Sequence, residues 1–185
     1  MTAFSALWLP ILLSVVAVFI ISAALNMSPW HQSDFTRAPN EDAVLNALRP
    51  MAIPPGDYMF PRAASMAEMK TPEFVEKVKR GPVVMMTVMP NGEMNMSRSL
   101  TGWCIFIVIV TLVASQVASS ILPPSTAGVR IFHTVGTIAF ASYAFALWPL
   151  SIWYHRAWNI TIRASVDGLI YGVVTGLIFV WLWPR

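Results

Sequence analysis

Four stretches of the chain, residues 6–25, 103–122, 131–150 and 166–183, are long and apolar, and the sole Asp, Glu, Lys or Arg within them is Asp167, near the start of the last. A helix rises about 1.5 Å per residue, so roughly 20 apolar residues match a hydrocarbon core about 30 Å thick. Hydrocarbon supplies no water to the peptide groups, which must bond within the segment, and an uninterrupted run of this length does so as a helix. Charged residues make up 11% of the chain, against about 25% in an ordinary soluble domain. The expectation is an all-α membrane protein: four transmembrane helices with a small α+β extramembrane cap between helices 1 and 2.

The boundaries follow from these runs: helix 1 within residues 1–26, the cap over 27–100, and helices 2 to 4 within 101–185. The cap is too long for a passive connection, and it carries its own structural signals. Asn40 is placed to cap a helix through Arg49, ended by Pro50, and Ser65 with Glu68 reads as a capping box. Thr71, Pro72 and Glu73 open a further helix that stops at Gly81. Residues 83–89 are rich in strand formers, and Pro90, Asn91 and Gly92 predict a turn into a partner strand at 93–96. Residues 54–61, PPGDYMFP, read as an ordered turn that presents Tyr58 and Phe60 to a surface.

Four spans put the cap and the 155–165 loop on one face, and both termini and the 123–130 loop on the other. Tryptophan prefers the headgroup level. Trp30, Trp103, Trp148, Trp153 and Trp158 fall at the first face and Trp8, Trp181 and Trp183 at the second, as four spans require. Arg98, Arg156 and Arg163 outweigh Arg130 and Arg185, so the positive-inside rule predicts a cytoplasmic large loop with both termini outside. The first span lacks a basic N-terminal region and exceeds the usual core of a signal peptide, which predicts an uncleaved anchor despite Ser22 and Ala24.

The net charge of +3 does not build a nucleic-acid surface. Between Met27 and Leu100 eight Lys/Arg face eight Asp/Glu, and the excess arises from scattered arginines beside the spans. Cys104 is the one cysteine, so an intrachain disulfide is excluded and a small packing residue is expected. Phosphate-binding glycine loops, nucleophile elbows and HExxH motifs are absent from the sequence, and no catalytic residue is assigned. Asn159-Ile160-Thr161 matches a glycosylation sequon that a cytoplasmic loop would leave unused.

Topology brings distant polar residues to the cap face. Trp30, His31 and Asp34 follow the first span, His155 and Arg156 follow the third, and Asp167 begins the fourth. Two imidazoles and two carboxylates suit a divalent metal or proton transfer, so His31, Asp34, His155 and Asp167 form the candidate site. Each also has a structural explanation: Asp167 at a helix N-terminus, His155 and Arg156 at a C-terminus, His31 and Asp34 in a turn after Pro29. His133 and Gln116 lie inside spans and suit a bond between helices 2 and 3 better than an ion path. Nine of eleven methionines fall between Met51 and Met96. Their thioethers suit Cu(I), with Met85 and Met89, and Met94 and Met96, sharing faces of strands; flexible packing is the alternative.

Gly168, Gly172 and Gly176 recur every four residues and align on one face of the last span, a pattern that marks close helix contacts within the chain or between two copies. Thr111, Ser115 and Ser119 form a similar stripe on the second span.

The segments SPWHQSDF (residues 28–35), PPGDYMFP (54–61) and DGLIYGVVTG (167–176) resemble those of a group of uncharacterised bacterial four-span integral membrane proteins. The resemblance implies a bacterial inner-membrane location and no particular activity or cofactor. The leading expectation is a non-catalytic structural or interaction protein whose partners are the lipid bilayer and a second copy or another membrane protein. A membrane metal-binding or redox protein is the alternative and a small transporter the third.

Overall fold

The structure, a computed structural model, describes residues 2–93 and 95–184. Met94, named above for its thioether, and Arg185, counted in the charge balance, fall outside them. In chain order the elements are α1 (Trp8–Met27), α2 (Glu41–Leu48), β1 (Gly56–Phe60), α3 (Pro72–Arg80), β2 (Val84–Val88), α4 (Met96–Ile121), α5 (Gly128–Ala144), α6 (Trp148–Tyr154) and α7 (Trp158–Leu182). They divide into two compact units, Met1–Thr36 with Asn95–Arg185, and Arg37–Met94. Four helical segments, Phe4–Met27, Met96–Ile121, Gly128–Tyr154 and Trp158–Leu182, are long and apolar enough to cross a membrane.

The first unit is a helical bundle. Its core has one cluster built on Leu7, Ala118, Leu122, Val135 and Phe179 and another on Val18, Ile107, Ala139, Tyr143 and Tyr171. The third span is not one straight helix: Pro149 has no N–H to donate, and its ring displaces the preceding turn, so α5 passes through a 3₁₀ turn at Phe145–Leu147 into α6. The fourth begins at Trp158, eight residues before the apolar run at Val166 (166 − 158 = 8), because the mixed polar and apolar residues between them continue the same helix.

The glycine repeat is used inside the chain. A Cβ on Gly172 would lie 2.8 Å from the Gly136 carbonyl oxygen and 3.0 Å from the Phe140 backbone nitrogen, and one on Gly176 would lie 2.9 Å from the Phe132 ring. Gly168 meets Tyr143 and Ala144 in the same way. The face that a glycine-mediated homodimer would need is therefore covered by α5. Thr111, Ser115 and Ser119 are buried on α4, and their hydroxyls donate to the backbone carbonyls of Ile107, Thr111 and Gln116. That satisfies them without a partner helix.

The second unit is α+β as expected, with different pairing. Strand β2 pairs antiparallel with β1, the segment read as a turn, in the register Gly56↔Val88 to Phe60↔Val84. The strand expected at 93–96 does not form as such, since Met96 opens α4 behind Asn95, whose side chain accepts from the Arg98 N–H. Tyr58 and Phe60 stack at 6.1 Å on one face of the ribbon. Thr71 caps α3 by accepting from the Phe74 N–H, and Gly81 ends it at a positive φ, both as expected. Asn40 precedes α2 in the left-handed region without a side-chain cap bond, and Ser65 and Glu68 bond one residue out of the reciprocal pattern, Glu68 accepting from the Ala64 N–H.

Gly172→Ala should lower the detergent melting temperature, since its new methyl meets rigid backbone, at a cost of about 1–3 kcal/mol. Gly102→Ala on α4, where a Cβ meets nothing within 4 Å, should be neutral or slightly stabilising. Equal melting curves for the two variants would show that the α5–α7 approach is not tight.

Candidate functional site

The site begins where α1 ends. Ser28 leaves the helix in an extended conformation, donates its hydroxyl to the Leu25 carbonyl at 2.6 Å and accepts from the Trp30 N–H at 3.2 Å. Pro29 then starts a 3₁₀ turn, Pro29–His31. On α7, Arg163 and Asp167 are four residues apart and share a face. The turn after α1 meets that face.

His31 lies between two carboxylates. Its Nδ1 is 2.6 Å from Asp34 Oδ2 and its Nε2 2.7 Å from Asp167 Oδ2. The remaining oxygens are also engaged: the Arg163 guanidinium donates to Asp34 Oδ1 at 2.8 Å, and the Trp30 indole donates to Asp167 Oδ1 at 3.2 Å. Arg163 donates further to the Ser33 hydroxyl at 2.6 Å and stands 5.7 Å from the Trp30 ring centroid, a cation–π distance. The side chains of His31, Asp34 and Asp167 are 15%, 11% and 8% exposed, so these bonds act largely out of water.

Burial is the largest single influence on the His31 imidazole and pulls its pKa down; the hydrogen bonds to Asp34 and Asp167 and their negative charges together outweigh it, so His31 titrates above its ordinary value. Burial likewise pushes Asp34 up, and bonds from His31 and Arg163 with their positive charges bring it below the usual carboxylate range. Both shifts favour the ionised pair. With His31 protonated, two carboxylates face one imidazolium and one guanidinium, and the set is electrically balanced.

Three of the four sequence candidates, His31, Asp34 and Asp167, therefore converge. His155 is exposed, ends α6 at φ 53°, and has no bond to this cluster among the described residues. The expectation that Asp167 caps a helix N-terminus is corrected: it sits nine residues into α7 (167 − 158 = 9) and is buried. Arg163, Ser33 and the specific part played by Trp30 were missed as members of one cluster. The available signal was the i,i+4 spacing of Arg163 and Asp167, masked because residues 158–165 read as loop. His133 and Gln116 are both exposed and not bonded to each other among the described residues; His133 packs edge-on against Phe132 at 5.7 Å. Of the methionines, Met85 stands opposite Met59 across the ribbon, Met89 lies beyond β2, and Met96 is helical. Among the described residues no group of three or more His, Cys, Asp or Glu is arranged to hold a metal ion.

Comparison with known protein families, curated proteins and solved structures finds no match.

Removing His31 leaves Asp34 and Asp167 facing each other's charge with unfilled acceptors. His31→Ala should destabilise the bundle in detergent by about 1.5–3 kcal/mol, the range for a hydrogen bond to a charged group; an unchanged unfolding midpoint would contradict this. The pH dependence has two limbs. The raised His31 contributes fully below its unfolded pKa of about 6.5 and loses that contribution as pH rises through its higher folded value. The lowered Asp34 contributes above about pH 4 and loses it as pH falls through its folded value. A plateau between these limits is expected, and His31→Gln should abolish the alkaline limb and shrink the acid limb, which then rests on Arg163.

Proposed function

We propose that this protein is a non-catalytic, multi-pass integral membrane protein that acts structurally or through interaction. The His31 cluster serves it as an electrostatic clasp between the turn after α1 and the face of α7. One observation carries the reading: every carboxylate oxygen of Asp34 and Asp167 and both nitrogens of His31 already have a partner. A metal at this position would have to displace the His31 proton and break at least one of those bonds. General acid–base chemistry would need a substrate within reach of an imidazole whose two nitrogens are both engaged.

The convergence of His31, Asp34 and Asp167 is also what the competing metal or redox reading requires, and metal analysis separates the two. The clasp reading expects purified protein without stoichiometric divalent metal or Cu(I), and a His31→Ala variant that differs in stability alone. A stoichiometric metal lost on that substitution would replace the clasp with a metal site.

The bacterial inner membrane remains the location that the resemblance implies. Positive charge at Arg98, Arg156 and Arg163, against Arg130 and Arg185 near the other face, supports a cytoplasmic second unit. Reporter domains fused after the last residue should be active outside the cytoplasm, and cytoplasmic activity would reverse the orientation.

A further inference from the structure

The second unit leaves its apolar side chains almost entirely uncovered by itself. Among its described residues only Pro61 is buried, while Met51, Met66 and Met89 are more than 60% exposed. A segment of this size has little core to begin with, and contiguous exposed apolar surface marks an interaction face. The most organised part of that surface is α3. At 100° per residue, Phe74, Val78 and Val75 fall in one arc of about 100°, Lys77 borders it on one side and Lys79 on the other, and Glu73, Glu76 and Arg80 occupy the far side. Phe74 is half-buried, whereas Val75 and Val78 are each 39% exposed. Arg80 is neutralised by Glu76 at 3.3 Å on that far side.

We propose that α3 is an interfacial helix that seats the Phe74, Val75 and Val78 stripe in the headgroup layer of the leaflet where α1 and α4 emerge, with Lys77 and Lys79 reaching anionic lipid headgroups. The lysine positions favour lipid over protein as the occupant. Lysine is depleted in protein–protein interfaces. At a bilayer its stem lies along apolar surface while its ammonium reaches the phosphate layer, which places lysines at the edges of the buried stripe. Connectivity supplies the second argument: with α1 and α4 crossing the membrane, both ends of this unit are tethered at one face. Nine residues bury too little area to bind a membrane in isolation, but a tether turns binding into an intramolecular event at high effective concentration.

The test uses the full chain with Cys104→Ser and single spin-labelled cysteines at Val75, Val78 or Glu76, in vesicles of phosphatidylcholine alone or mixed with phosphatidylglycerol. Collision with oxygen, which partitions into lipid, is compared with collision with a water-soluble nickel chelate. The expected result is an oxygen-to-nickel ratio several-fold higher at Val75 and Val78 than at Glu76, larger in the mixed vesicles and reduced there by Lys77→Glu with Lys79→Glu. Equal nickel access at Val78 and Glu76 in both vesicles would overturn the proposal. So would spin–spin broadening at Val78 that disappears on dilution with unlabelled protein, since the stripe would then be covered by a second copy. A contrast that survives the double lysine substitution in the mixed vesicles would overturn the role given to anionic headgroups.

Discussion

The backbone contact between α5 and α7 is the constraint on which the rest of the bundle depends. In a bilayer, helices gain little from leaving lipid for each other, and association rests on packing and polar bonds. Gly136 and Gly172 let two backbones approach until a carbonyl occupies the space of a missing methyl. That approach sets the axial position of α7, and with it the height of Arg163 and Asp167. The α1 turn then has a fixed target.

The clasp completes this arrangement at the large-loop face. Bases and acids alternate along the chain of contacts Arg163, Asp34, His31 and Asp167, and the indole of Trp30 fills the last carboxylate oxygen. Partly buried charges are tolerated when each is paired and hydrogen-bonded. Here a short 3₁₀ turn at the end of one span is tied to the third turn of another that is distant in sequence. Below the cluster, Tyr171 follows Asp167 by one helical turn and packs with Trp103 and Tyr143, and Trp103 donates to the Ser22 hydroxyl on α1 at 2.8 Å. Polar and aromatic contacts therefore continue from the clasp into the bundle.

Much of the fold was legible in the residues because hydrocarbon imposes a length and a composition on each span. The four runs and the glycine stripe were readable for that reason, and α3 was readable from its own Thr71 cap and Gly81 stop. The failures share a cause. Residues 158–165 looked like a loop because Asn159, Thr161, Arg163 and Ser165 interrupt their apolar neighbours and the continuous run starts later, yet a helix extends past such a run wherever its own backbone bonds hold it. The strand partner of β2 was assigned to the nearest turn signal, whereas the pairing that runs from Gly56↔Val88 to Phe60↔Val84 depends on contact between residues distant in sequence.

Sequence alone determined that four helices of this chain are long and apolar enough to cross a membrane and that His31, Asp34 and Asp167 lie toward the same ends of them, because span length and charge are local properties. Tertiary structure decided that those three converge, that His155 does not join them, and that Arg163 does. Convergence at hydrogen-bond distance depends on helix register and axial offset, and these are set by how closely α5 and α7 pack at their glycines.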